Sequence, residues 1–269
     1  MTPGERNPPL EPAKIGVYDA GDSGDTMMES ILSRVPGNAA PVRRSNSGAG
    51  IFVTLEGPEG AGKTTQTRLL ADHLRHSGRD VVCVREPGGT PIGEQIRDLL
   101  LDPRREEMDA RAEMLLFAAS RAQLVAQVIA PALGAGRDVV CDRYVDASLA
   151  YQGIARGIGV ELVRTVNAVA TAGVYPDLTL LLDIDVATGL TRARAETGAR
   201  AAGDRMEQEV LQFHQRVREG FLSLAQKEPL RIKVIDARGS VAAVQRAIQE
   251  AVAQILRGRG EGLGQEGSR

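Results

Sequence analysis

The chain is poor in the residues that announce several common function classes. Its 269 residues contain no tryptophan, two cysteines, three histidines and 3% aromatics, and only four of its 33 basic side chains are lysine. Two cysteines cannot staple a chain of this length, and the histidines are not spaced as zinc ligands. Cys83 and Cys141 both fall in strand-like apolar runs and read as buried small hydrophobes in a reduced compartment. A formal net charge of −2 leaves no basic footprint for a nucleic-acid polymer. No run approaches about 18 uninterrupted apolar residues, and no charged segment followed by an apolar one opens the chain. These absences point to a cytoplasmic protein that binds neither membrane nor nucleic acid. With 42% apolar and 25% charged residues, the chain suits one soluble domain with appendages.

Residues 1–49 are rich in Pro, Gly, Ser, Asn and Asp, carry no sustained period, and read as a disordered leader. Met27 to Leu32 could form a short helix with no assigned role. Residues 258–269 read as a flexible tail. Between them, residues 50–257 alternate. Apolar runs at Ile51–Leu55, Val81–Val84, Val139–Cys141, Leu178–Leu182 and Ile232–Ile235 predict strands buried on both faces. Helical periodicity is expected over Thr64–His76, Ile92–Leu101, Ala110–Leu133, Val160–Ala172, Ala187–Glu196, Glu207–Gln226 and Val241–Leu256. Alternation of this kind predicts a three-layer α/β/α domain on a five-stranded parallel sheet, with functional groups beyond the strands' C-terminal ends. Charge gathers there: Glu56, Arg85-Glu86, Asp142-Arg143, Asp183 and Asp185.

Gly57-Pro58-Glu59-Gly60-Ala61-Gly62-Lys63-Thr64 follows the first strand and opens the first helix. This is the phosphate-binding loop pattern, whose backbone N–H groups wrap a polyphosphate at the helix's positive end. Lys63 would neutralise the terminal phosphates of ATP, and Thr64 would offer its hydroxyl to Mg²⁺. Arg85-Glu86-Pro87-Gly88-Gly89-Thr90 leaves the second strand through a tight turn that holds Arg85 and Glu86 in place. The third strand ends in Asp142-Arg143-Tyr144, followed by Ser148 and Tyr151-Gln152-Gly153. Arg143 there is either a two-pronged phosphate ligand or half of a structural ion pair with Asp142. Phe117 and Arg121, four apart on one helix, could stack on a base and meet its edge, or be a core ring beside a surface arginine. Arg192, Arg194, Arg200 and Arg205 lie among small residues over about 192–206. They suit a lid closing on phosphates, or a solvated helix end.

Together these motifs resemble the thymidylate kinase family, of the bacterial type, over about Ile51 to Leu256. The resemblance implies the P-loop nucleotide kinase fold with a small lid, and transfer of the γ-phosphate of ATP to thymidine 5′-monophosphate (dTMP), with Mg²⁺, by a homodimer. It implies that Phe117 stacks on thymine, Arg121 meets its O4 edge and Ser148 lies near N3. Tyr151 would pack on the deoxyribose and Gln152 would support the base pocket. Arg97 and Arg143 would grip the acceptor phosphate, and Glu59 and Glu86 would lie near the sugar and metal-bound waters. Asp142 resembles the family's carboxylate near Mg²⁺. Eukaryotic-type members carry an arginine at the position of Gly60, whereas this chain resembles those that supply it from the lid. Glu196 stands where such an arginine often lies, so the charge-neutralising residue is one of Arg192, Arg194, Arg200 and Arg205, with Arg200 a candidate replacement. The competing readings are another pyrimidine nucleoside monophosphate kinase and a P-loop ATPase acting as a regulatory switch.

Overall fold

Five parallel strands form one sheet: β1 (Phe52–Glu56), β2 (Val81–Arg85), β3 (Asp138–Asp142), β4 (Leu178–Asp183) and β5 (Ile232–Asp236), in the order β2-β3-β1-β4-β5. The structure, a computed structural model, describes residues 50–197 and 204–260. The leader, most of the tail and Arg200 lie outside the described residues. The helices are α1 (Lys63–His76), α2 (Pro91–Leu101), α3 (Ala110–Gly134), α4 (Val145–Ser148, continuing as a π-helical segment Leu149–Ala155), α5 (Val160–Thr171), α6 (Val186–Thr197), α7 (Leu211–Lys227) and α8 (Val241–Gly258).

The two-residue period of the strands sorts their side chains between two helical layers. Ile51, Val53 and Leu55 of the β1 region join Leu178, Leu180 and Leu182 under α1 and α8. Phe52 faces the other way, onto Leu124, Val125 and Ile129 of α3, and Leu181 meets Phe213, Val217 and Phe221 of α7. The three-layer α/β/α arrangement expected from the alternation is therefore the one observed.

Four local expectations are corrected. The central strands β1 and β3 are buried throughout, but β2 and β5 are partly exposed because the strand order puts them at the edges. Cys83 on β2 is exposed, and only Cys141 is the buried thiol expected of both. The long third helix contains a π-helical turn, Val125–Ile129, that widens the coil just ahead of Pro131, whose nitrogen has no hydrogen to donate. Helix α7 begins at Leu211 rather than Glu207. Asp204 Oδ1 accepts from the N–H groups of Met206 and Glu207, holding the preceding residues in a turn.

By length and composition α3 is apolar enough to cross a membrane, with mean hydropathy 1.3 over its best window. Its Glu113 and Arg121 are nevertheless buried and ion-paired to other elements, so its apolar content belongs to the protein core.

Candidate active site

The phosphate loop takes its shape from glycine. Gly60 sits at φ +66°, and a Cβ built there would lie 1.8 Å from the Gly189 carbonyl oxygen on α6. No side chain fits without displacing that helix, so the loop cannot itself carry an arginine at this position. Gly62, at φ +84°, is the N-cap of α1 and turns the chain into the helix. Lys63 Nζ reaches back across the loop to donate to the Pro58 carbonyl at 2.7 Å. Burial and the neighbouring Arg143 pull its pKa down to about 8, against the pull of Glu59 and Asp142. Thr64 Oγ1 donates to Asp142 Oδ2 at 2.6 Å, bringing a hydroxyl and a carboxylate from opposite ends of the motif set together.

Arg143 leaves β3 at φ +67°, a conformation rare for a residue with a side chain. Its N–H donates to the Leu55 carbonyl, and its guanidinium donates to the Gly57 carbonyl and to Glu59 Oε1 at 2.6 Å. It also lies over the Tyr151 ring, 5.2 Å from the centroid, and the Tyr151 hydroxyl donates to Glu59 as well. Burial alone would raise the Glu59 pKa, but Arg143, then Lys63 and Tyr151, outweigh it and hold the carboxyl at about 2. In place of the alternative Asp142–Arg143 pair, Arg143 pairs with Glu59, and Asp142 is turned to Thr64.

Arg121 is not a surface arginine. It is 1% exposed, and its three nitrogens meet Glu86 Oε2, Ser148 Oγ, Asn167 Oδ1 and the Tyr144 carbonyl. Glu86 is equally buried, and desolvation raises its pKa to about 7 despite Arg121. Gln152, on the π-helical part of α4, donates from Nε2 to Glu113 Oε1 at 2.8 Å. A π-helical turn offsets its side chains from those of a regular helix, and here the segment carries both Tyr151 and Gln152 to the site.

One cavity of about 360 Å³ joins these groups. Lys63, Thr64 and Asp142 line it, and so do Glu59, Gly60, Glu86, Arg97, Phe117, Arg121, Arg143, Ser148, Tyr151 and Gln152. Lys63, Arg143 and Phe117 thus share one chamber.

The lid divides the expected arginines. Arg192 on α6 donates to the Ala237 and Arg238 carbonyls. Arg205 is buried, donating to the Leu100 carbonyl and to Glu113 Oε2 at 2.7 Å. Neither is among the residues that line the cavity, and both are tied to the protein frame. Arg194 is exposed on α6. From the lid region, Ala193, Asp204, Met206 and Glu207 do line the cavity.

Sequence reading missed Glu113 and Asn167, which hold Gln152 and Arg121. The signal for Glu113 was present: it stands four residues before Phe117 and eight before Arg121, on one helix face. Asn167 carries no such signal, because it comes from α5 and meets Arg121 only through the fold. The histidines looked remote from every motif, yet the buried His214 lies within electrostatic reach of Glu59.

The donor set at Thr64 and Asp142 suits a hard divalent cation, which takes oxygen ligands and keeps several waters. Among the described residues no group of three or more His, Cys, Asp or Glu could cage a metal by itself.

Comparison with known proteins agrees with this geometry. A thymidylate kinase family model matches residues 55–248. The chain is 53% identical over 192 residues to the thymidylate kinase of Syntrophotalea carbinolica, covering 71% of this chain and 89% of that one. It is 51% identical over 209 residues to that of Solidesulfovibrio magneticus, covering 77% of this chain and all of the relative. The crystal structure of thymidylate kinase from Ehrlichia chaffeensis superimposes with a TM-score of 0.61 at 34% identity, covering 76% of this chain and 98% of the other. A shared phosphate loop would bring in any P-loop protein, whereas identity near one half over nearly the full length of these relatives spans the acceptor side of the cavity as well, and the chain belongs to the thymidylate kinase family.

Proposed function

We infer that this protein transfers the γ-phosphoryl group of ATP to dTMP, forming dTDP and ADP, within the 50–257 domain. The single observation that carries this reading is the shared cavity, lined by Lys63 and Thr64 of the phosphate loop together with Phe117, Arg143 and Tyr151. Phosphoryl transfer asks for alignment and charge neutralisation more than for covalent chemistry. Gly57, Pro58, Glu59, Gly60, Ala61, Gly62, Lys63 and Thr64 hold the ATP phosphates. Arg97 and Arg143 hold the acceptor phosphate, Phe117 stacks on the base, and Tyr151 fills the space beside the sugar. An acceptor phosphate oxygen is already ionised at neutral pH, so transfer is in line and needs no general base.

Thr64 and Asp142 would hold Mg²⁺, which when bound neutralises charge on the transferring phosphates. Charge neutralisation from the lid falls to Arg194 or Arg200, since Arg192 and Arg205 are engaged elsewhere. We place the reaction in the cytoplasm, where ATP is supplied, and in a homodimer. The apolar face of α3, on which Leu115 is exposed, is the candidate contact.

The test is ADP formation from ATP and Mg²⁺ with and without dTMP. Turnover should require dTMP, and should fall in the order dTMP, dUMP, then CMP and UMP. Equal ADP release without any monophosphate would replace this reading with the ATPase switch, and a preference for CMP would replace thymine as the base.

A further inference from the structure

Glu113 is 1% exposed and accepts four hydrogen bonds. Its Oε1 takes Gln152 Nε2 at 2.8 Å and Arg156 Nε at 3.2 Å. Its Oε2 takes Arg156 Nη2 at 2.9 Å and Arg205 Nη2 at 2.7 Å. Arg156 is held in turn by Glu209 and lies over the Phe213 ring, and Arg205 is anchored on the Leu100 carbonyl. Burial pushes the Glu113 carboxyl up, but the bonds from Arg156 and Gln152 outweigh it and keep the pKa below the usual value. Glu113 is therefore an ionised acceptor with no hydrogen of its own to give.

That fact decides which way Gln152 points. An amide is a fork with a donor on one prong and an acceptor on the other, and a carboxylate can only take the donor. Gln152 lines the cavity, so its remaining prong, the carbonyl oxygen, is the one offered to a bound base. Ser148 cannot make the same selection, because a hydroxyl rotates to donate or accept. Thymine and uracil present a hydrogen at N3, whereas cytosine presents a lone pair there.

We propose that Glu113 is a positioning residue for base selectivity: by holding the Gln152 amide nitrogen it fixes the Gln152 carbonyl oxygen as an acceptor for N3–H, so that the site takes thymine or uracil and refuses cytosine. Arg156 and Arg205 belong to the same device, keeping the carboxylate charged and in place. This places Arg205 behind the base pocket, acting on it through Glu113, instead of on the transferring phosphate. The proposal rests on the dTMP kinase reading and deepens it.

The measurement is kcat/KM for dTMP divided by kcat/KM for dCMP, with melting temperature recorded for each variant. Wild-type protein comes first: absence of dTMP-dependent turnover there would remove the kinase reading itself. Given an active wild type, Glu113→Gln frees the Gln152 amide to rotate, and the ratio should fall by about 10- to 100-fold. Gln152→Leu should lower the ratio comparably, and the double variant should lower it no further, since both changes remove one interaction. A Glu113→Gln protein that loses activity on both substrates equally, or a double variant whose effects multiply, would overturn the proposal while leaving the kinase reading standing. Should Glu113→Gln fail to fold, Glu113→Asp keeps the charge facing Arg156 and Arg205 while withdrawing the oxygen from Gln152. The same fall in ratio is expected of it, and an unchanged ratio would overturn the proposal.

Discussion

The two ends of the cavity are built on different plans. At the donor end, eight consecutive residues form the site, and backbone geometry does most of the shaping: Gly60 packs on the Gly189 carbonyl, and Gly62 turns the loop into α1. At the acceptor end, side chains from α2, α3, α4 and the ends of β2 and β3 meet, and the charged and amide groups among them are held by ion pairs or hydrogen bonds from other elements. The donor end is thus constrained where an added Cβ would meet backbone, at Gly60 above all, and is tied to the acceptor end through Glu59–Arg143 and Thr64–Asp142. The acceptor end tolerates shape but depends on buried charge remaining paired, because an orphaned ion in a low-dielectric interior is costly.

The largest effect should come from Lys63→Ala, which removes the charge proposed to face the transferring phosphates. A loss of about 10²- to 10³-fold in kcat is expected, with the melting temperature little changed, and retention of near-normal turnover in the coupled assay would contradict the phosphate role.

At the other end, Arg121→Ala should act on stability first. It strips a buried carboxylate of its partner, and urea unfolding should show a loss of about 3 kcal/mol or more. This loss should depend on pH. The folded-state pKa of Glu86, about 7, lies above its ordinary value of 4.5, so the folded protein binds more protons between those pH values. Stability contributed by this group is present at acid pH and declines as pH rises through 7. Without Arg121 the penalty should accordingly be larger at pH 8 than at pH 6, and a loss that does not vary with pH would show that Glu86 is not the group left unpaired.

Gly60→Ala tests the opposite expectation, that the donor end fails through backbone alone. Strain at a left-handed position and the contact with Gly189 should together cost about 1–3 kcal/mol and weaken ATP binding, while dTMP affinity stays near wild type. An equal loss of both affinities would mean that the two ends are not independent.

The smallest effect sharpens the comparison by titration. Lys63, with a pKa of about 8, loses its charge above that pH in the free protein. Calorimetric ATP affinity should therefore weaken as pH rises from 7 to 9, by up to about tenfold per unit above 8. In Lys63→Arg this decline should disappear, because arginine stays protonated.

Legibility followed the same divide. The phosphate loop could be read residue by residue because its function resides in contiguous backbone, and strand alternation placed all five strands within about a residue of their observed limits. Arg143 was found at its strand end, but its partner was not, since Glu59 lies 84 positions away and reaches it only when β1 and β3 pair. Arg121 looked half like a surface residue because helical spacing shows which face it shares, not whether that face is covered. The edge exposure of Cys83 was hidden for a related reason: an apolar run does not state where its strand falls in the sheet order.

What the sequence determined by itself was local: which segments are strands and helices, where the phosphate-loop motif lies, and the motif set that marks the family. These follow from the nearest neighbours along the chain, through φ/ψ preference and periodic burial. Only the tertiary structure decided how the charges divide, giving Glu59 to Arg143, Glu86 to Arg121, and Glu113 to Gln152, Arg156 and Arg205. Each arginine had several acidic candidates along the chain, and the choice among them is made by desolvation. A carboxylate and a guanidinium brought into the same dry interior must find each other, and which two arrive together is settled by packing across the sheet.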